Sequence, residues 1–230
     1  MDDRTAEAFS AMPRLNGRWA RLRAHLYAAV ADHGLFRAVY QNRFEIAPGV
    51  FRSNQPTPAH LARAKRLGVR TVVNLRGGGG SAGYYLLERD ACAALGLTLI
   101  DFPVHSRELL SAQAIRAAVE LFGRIDYPAL FHCKSGADRV GFICALYLLV
   151  HENRPVEEAM RQLSPRYGHW RRSKTGVLDR FFESFRDYRR RTGGDFWRWI
   201  EEDYDPARLQ RDFHDNRLAT LLVDDVLKRE

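Results

Sequence analysis

The stretch PALFHCKSGADRVG, residues 128–141, constrains the fold more than any other part of the chain. Its first half is a short apolar run of strand length, which reads as a strand buried on both faces. Its second half passes through Gly136 into the apolar segment 139–151, which has the length of a helix. A buried strand that feeds a helix through a tight loop belongs to a βαβ unit. Such units build a parallel sheet with helices packed on it.

The flanking sequence repeats this alternation. Residues 51–54 (FRSN) read as a short strand, and 57–67 as a helix with Thr57 at the N-cap and Pro58 at the first helical position. Residues 71–75 (TVVNL) read as a buried strand, 84–95 as a helix closed by Gly96, and 97–102 (LTLIDF) as another strand. Ser111 caps a helix over 111–122. Beyond His151 the pattern turns helical, over 156–162, 175–190, 196–204 and 212–227, with a break at Gly193-Gly194. The basic amphipathic stretch 16–40 predicts an N-terminal helix. The expected fold is therefore α/β, a central and mostly parallel sheet of four to five strands flanked by helices, with additional N- and C-terminal helices.

Composition narrows the setting. The three cysteines, Cys92, Cys133 and Cys144, make no disulfide framework and have no zinc-ligand spacing. Sparse free cysteines suit a reducing compartment. The chain begins MDDRT with no apolar h-region, and the apolar run 142–150 is too short to span a bilayer, so a cytoplasmic location is expected. Among 230 residues, 36 Lys and Arg face 28 Asp and Glu, for a formal charge of +8. That balance favours anionic partners. Nucleic acid is not among the expected ones, because no aromatic-plus-basic strand motif accompanies the charge. The run 77–80 (GGGG) lacks the Lys-Ser/Thr of a nucleotide-binding loop and reads as a turn.

The loop in 128–141 has a definite chemical potential. Backbone N–H groups that curl toward one point, with a helix N-terminus behind them, make an anion cradle. Arg139 can hold two phosphate oxygens through its planar fork. Cys133 lies at the base of that cradle, where the same dipoles favour its thiolate. A thiolate beneath a phosphate is set for in-line attack on phosphorus, giving a phosphocysteine that water then hydrolyses. Neither metal nor organic cofactor is required.

His132, Cys133, five intervening residues and Arg139, with Gly136 inside, resemble the His-Cys-x-x-Gly-x-x-Arg signature of cysteine-based protein tyrosine phosphatases. The resemblance extends over about 51–190 and is to the atypical, bacterial-type dual-specificity branch, since FRSNQPTPAHLARAKRLGVRTVVNLRG resembles the segment that precedes the loop there. It implies a phosphatase domain at 44–192, with helical extensions at 1–43 and 193–230, the latter packed on the domain. It implies Cys133 as nucleophile and a phosphate-binding set of Lys134, Ser135, Gly136, Ala137, Asp138 and Arg139, with His132 and Arg76 in support. The implied partner is a phosphorylated protein, or a phosphorylated lipid or inositol. Nothing in the sequence sets an oligomeric state.

Two departures from the pattern bear on turnover. Members of the family carry Ser or Thr after the arginine to stabilise the departing thiolate, and Val140 stands there instead. That predicts slower breakdown of the phosphocysteine. The general acid is the second departure. Where an Asp aligns in the family, this chain has His105-Ser106, leaving Asp101, Glu108 and Asp138 as candidates. Asp138 ranks first, through a subgroup with Lys-Asp-Arg in the loop, although Ala137 replaces its lysine; Asp101 ranks second. Lys134 and the stretch 171–191, with eight Lys/Arg against three Asp/Glu, extend the substrate options to phosphoinositides, inositol phosphates and envelope lipids, and admit peripheral membrane contact. A phosphate-binding module without turnover is the rival reading. His169 and Lys174 are further residues for the neighbourhood of the pocket, at positions the sequence does not fix.

Overall fold

The computed structural model describes residue 17 and residues 41–78 and 83–215. The N-terminal helix expected over 16–40 and most of the helix expected over 212–227 lie outside the described residues. The chain divides into two compact units, Met1–Val104 with Ile125–Gly136, and His105–Arg124 with Ala137–Glu230.

The first unit holds the sheet. Its strands are β1 (Phe44–Ala47), β2 (Val50–Ser53), β3 (Thr71–Asn74), β4 (Thr98–Asp101) and β5 (Ala129–His132), in the order β1-β2-β5-β3-β4. Only the β1–β2 pair is antiparallel; β2–β5, β5–β3 and β3–β4 are parallel. The five-stranded, mostly parallel sheet is the one expected. β5 lies at its centre with all four residues buried, as its unbroken apolar character demands. β1 was not singled out from sequence. It is four residues at an edge, only partly buried, and its identity comes from pairing with β2 across the turn at Gly49.

Two helices complete this unit, α1 (Pro58–Arg66) and α2 (Gly83–Leu95). Thr57 caps α1 as expected: its hydroxyl accepts from the His60 N–H at 3.2 Å, and the Thr57 N–H donates to His60 Nδ1 at 3.4 Å. Leu61 and Ala64 of α1 and Cys92 of α2 pack with Val72 of β3 and Leu130 of β5, so Cys92 is a core residue. The parallel register sets Ser53, His132, Asn74 and Asp101 in one row across the last residues of β2, β5, β3 and β4. That row is the carboxyl edge, where open α/β sheets place their ligands.

The second unit is helical. It comprises α3 (Ala112–Arg124), α4 (Asp138–Leu146), α5 (Val156–Ala159), α6 (Val177–Thr192) and α7 (Phe196–Glu202). The helix expected over 139–151 is α-helical only to Leu146; Tyr147–His151 winds more widely, as a π-helical turn. The expected start at Thr175 becomes Val177, because Ser173 caps a separate short turn, Lys174–Gly176. Gly193, at φ 71°, ends α6 as the sequence indicated. Cys144 is buried inside α4.

The face of α6 carries Phe181, Phe182 and Phe185. Phe181 meets Phe142 and Trp199 edge-on, each at a ring-centroid distance of 5.0 Å. It also meets Tyr204 at 5.3 Å. Phe181→Ala therefore removes the hub of this aromatic core and is expected to lower stability by about 3–5 kcal/mol, read from chemical denaturation. A loss under about 1 kcal/mol would show that the core repacks around the cavity.

Candidate active site

Cys133 follows β5 directly and is 1% exposed; its N–H donates to the Ser53 carbonyl at 3.4 Å. His132, the last residue of β5, has its ring Nε2 at 2.5 Å from Glu88 Oε1, and both side chains are fully buried. The contacts continue outward. Gln55 Nε2 donates to Glu88 Oε2 at 2.9 Å, and Arg76 Nη1 donates to Gln55 Oε1 at 2.7 Å. The Arg76 guanidinium lies 3.5 Å from the centroid of the Tyr84 ring, and the Arg76 backbone N–H donates to Asn74 Oδ1 at 2.9 Å. Arg76 is thus half-buried and tethered at both ends, and His132 is the inner end of a polar chain that reaches it.

The next three peptide carbonyls are each held from outside the loop. Lys134 O accepts from the Gln55 N–H at 3.3 Å. Ser135 O accepts from Asn42 Nδ2 at 3.3 Å. Gly136 O accepts from Asn42 Nδ2 at 3.0 Å and from Arg52 Nη2 at 2.8 Å. In a trans peptide the N–H points opposite to the C=O. Anchoring these carbonyls therefore turns the N–H group of each peptide, those of Ser135, Gly136 and Ala137, away from the residue that holds its carbonyl. Gly136 is needed on two counts. Its φ is +77°, and a Cβ there would lie 2.8 Å from the Asn54 nitrogen.

The remaining loop residues open α4 in the second unit. Asp138 is its first residue and Arg139 its second. Asp138 Oδ1 lies 2.7 Å from His169 Nδ1 and accepts from Thr175 Oγ1 at 2.9 Å. The other ring nitrogen of His169, Nε2, lies 2.7 Å from Asp179 Oδ2. With a carboxylate at each nitrogen, the imidazole is held in its doubly protonated form. Burial opposes that charge, but the hydrogen bonds and charges of Asp138 and Asp179 outweigh it and hold the His169 pKa at about 9. Val140 is wholly buried, so the departure from a hydroxyl-bearing residue stands.

The two acid candidates differ in how their oxygens are used. Asp101 has both engaged: Oδ1 accepts from Asn74 Nδ2 at 2.7 Å and Oδ2 from the Tyr85 hydroxyl at 2.6 Å. Burial raises its pKa, against the pull of those two bonds. Asp138 spends a single oxygen, Oδ1, on both of its bonds and is 24% exposed. Glu108 and His105 are exposed. Among the described residues no cluster of His, Cys, Asp and Glu forms a metal site.

Sequence reasoning missed Glu88, Gln55, Arg52, Asn42 and Asp179, and left His169 unplaced. For Glu88 a signal existed: with Tyr85 and Cys92 it occupies positions i, i+3 and i+7 of α2, the apolar face, where a carboxylate needs a buried partner. Arg52 and Asn42 gave none, since their partners are carbonyls more than eighty residues away.

Folding raises the His169 pKa above its ordinary 6.5, so its contribution to stability is full below pH 6.5 and is lost as pH rises toward about 9. The unfolding free energy should fall across that window by up to roughly 3 kcal/mol. In His169→Gln the fall should be absent. An equal fall in both proteins would contradict the assignment.

Comparison with known proteins gives a consistent picture. A family model described as "DSP-PTPase phosphatase fused to NAD+ Kinase" matches residues 27–175, more than half of the chain. The dual specificity protein phosphatase TpbA of Pseudomonas aeruginosa is 25% identical over 126 residues in each of two strains, covering 53% of this chain and 53% of TpbA. The chain thus spans about half the length of the curated relatives it matches. The crystal structure of P. aeruginosa TpbA superposes with a TM-score of 0.52 at 21% identity, covering 64% of this chain and 90% of that one, a likeness of fold.

Proposed function

Because the chain belongs to the family of DSP-PTPase phosphatases fused to NAD+ kinase, in the atypical, bacterial-type dual-specificity branch of the cysteine phosphatases, we propose that it hydrolyses phosphate monoesters through a phosphocysteine on Cys133. The observation that carries this reading is the outward anchoring of the Lys134, Ser135 and Gly136 carbonyls. It turns the N–H group of each of those three peptides away from the residue that anchors its carbonyl, beside a cysteine at the carboxyl edge of the sheet.

In the proposed cycle the Cys133 thiolate attacks phosphorus in line, forming the P–S bond as the ester P–O bond breaks. The N–H groups of 134–139 and the Arg139 fork hold the non-bridging oxygens. A carboxylic acid gives its proton to the leaving oxygen, and water then cleaves the P–S bond. Asp138 is the preferred acid, with its second oxygen available beyond the two bonds to Oδ1. Asp101 is second, because both its oxygens are already engaged. His132, steadied by Glu88, orients the start of the loop, and Arg76 closes the outer end of the same chain. The cycle uses no metal and no cofactor.

Phosphotyrosine in a protein is the default substrate class, by analogy with relatives described as dual specificity protein phosphatases. Lys134 and the basic stretch 171–191 keep phosphoinositides, inositol phosphates and phosphorylated envelope lipids as alternatives. A second reading, phosphate binding with little turnover, is favoured by one observation, the buried Val140 where a hydroxyl would assist thiolate departure. None of the described helices is long and apolar enough to cross a membrane. A cytoplasmic location is part of the proposal, resting on the three free cysteines.

Incubation with an aryl phosphate under reducing, metal-free conditions tests the function. Hydrolysis should be abolished in Cys133→Ser. Asp138→Asn should slow a substrate with a poor leaving group by roughly a hundredfold or more, and one with a good leaving group far less. Hydrolysis retained by Cys133→Ser would refute the mechanism, and an equal effect of Asp138→Asn on both substrates would remove Asp138 as the acid.

A further inference from the structure

Trp170 is 63% exposed, more than Leu67, the other large apolar side chain that is exposed rather than partly buried among the described residues. Its neighbours on both sides are tied down. His169, one residue before it, is buried between Asp138 and Asp179 at 2.7 Å each. Arg171, one residue after it, is ion-paired to the buried carboxylate of Glu183. The backbone between them is closed as well: the His169 N–H donates to Ser164 O at 3.1 Å and the Ser173 N–H to Trp170 O at 2.9 Å. A tryptophan in a slack loop can fold back against the protein. The backbone on both sides of this one is held, so its position at the surface belongs to the fold.

Along the chain on either side of it, the charged residues have one sign. From Ala159 to Leu178 the chain carries Arg161, Arg166, Arg171, Arg172 and Lys174 and no Asp or Glu. Arg172 and Lys174 are exposed, and no carboxylate partner is among their described contacts. An isolated surface cation is ordinary, and an isolated surface tryptophan is uncommon but tolerable. With Arg171 paired to Glu183, an exposed indole flanked along the chain by the exposed cations Arg172 and Lys174 combines the two elements that hold a protein at an anionic bilayer. Tryptophan settles at the level of the headgroups, and Lys and Arg are drawn by their negative surface potential.

We propose that the segment 164–176 is a docking surface for an anionic lipid membrane, with Trp170 as the interfacial anchor and Arg172 and Lys174 as its electrostatic partners. The segment is tethered through Asp138, the residue before Arg139, so docking would bring the phosphate-binding turn of α4 to the plane of the headgroups. That consequence, access to phosphate groups borne at a bilayer, rests on the phosphatase reading; the docking itself does not. Attraction of this kind weakens with ionic strength.

Flotation of the full chain with vesicles tests the proposal, using phosphatidylcholine alone and equal parts phosphatidylcholine and phosphatidylglycerol. The protein should float with the anionic vesicles and remain behind with the neutral ones, and added salt should release it. Trp170→Ala and Arg172→Ala should each lower the bound-to-free ratio roughly fivefold. Both variants should keep the unaltered circular dichroism of the parent. Binding to neutral vesicles as strong as to anionic ones, or bound fractions unchanged in both variants, would overturn the proposal. So would unchanged vesicle binding in Trp170→Ala together with a raised KM for a phosphotyrosine peptide, which would assign the indole to a peptide partner. Lipid binding lost in the variants of a protein that hydrolyses no aryl phosphate would sink the phosphatase reading and leave the docking surface standing.

Discussion

The arrangement of the loop depends on one interaction, the bond from the buried Arg52 guanidinium to the carbonyl of Gly136. A cation without solvent around it is costly unless its donors are used, so this side chain holds its acceptors firmly. Arg52 comes from β2, a neighbour of the central β5, and is placed by the sheet register rather than by any local preference of the loop. Asn42 adds a second donor to the same carbonyl and one to Ser135. With these two carbonyls held, the N–H group of each of the two peptides points away from Arg52 and Asn42. A glycine at 136 follows from the same constraint, since the positive φ and the approach of Asn54 both exclude a side chain.

The other end of the loop obeys a different logic. Asp138 and Arg139 belong to the first turn of α4, and that turn is held by charge: an imidazolium at His169 between the carboxylates of Asp138 and Asp179, with the Thr175 hydroxyl as a further donor. Backbone anchoring is indifferent to pH over the physiological range, whereas a His-carboxylate clamp is not. Asp138 is therefore a residue with two duties in the proposed cycle. One oxygen fixes the start of α4 through His169 and Thr175; the proposed role as acid falls to the other and requires the protonated carboxyl, a form that competes with the ion pair to His169.

Much of the fold was legible because its signals are local. Thr57-Pro58, Gly96, Ser111 and Gly193 mark helix ends by their own conformational preferences, and the apolar runs of β3 and β5 identify buried strands. β1 was not legible, because four edge residues acquire strand character only from a partner. The α4 boundary at Leu146 and the late start of α6 were missed for a related reason: a change from α to π winding, or a serine-capped short turn, is a contest between nearly equal local options. In the candidate site, the covalent motif from His132 to Arg139 was legible, since its meaning lies in spacing along the chain. The residues that shape the motif, Arg52, Asn42, Gln55 and Asp179, are polar side chains of ordinary appearance. Only a tertiary partner distinguishes them from surface residues. Glu88 differs in that its place on the apolar face of α2 was a signal in the sequence that went unread.

The central claim is that Cys133 carries the phosphoryl group between substrate and water. Rapid quenching of the reaction with an aryl phosphate, followed by mass spectrometry of the peptide containing Cys133, tests it directly. The account predicts one phosphoryl group on that cysteine during turnover, long-lived because Val140 offers no hydroxyl to the departing thiolate. Turnover with the phosphoryl group on another residue, or with none on Cys133 at any quench time, would contradict it.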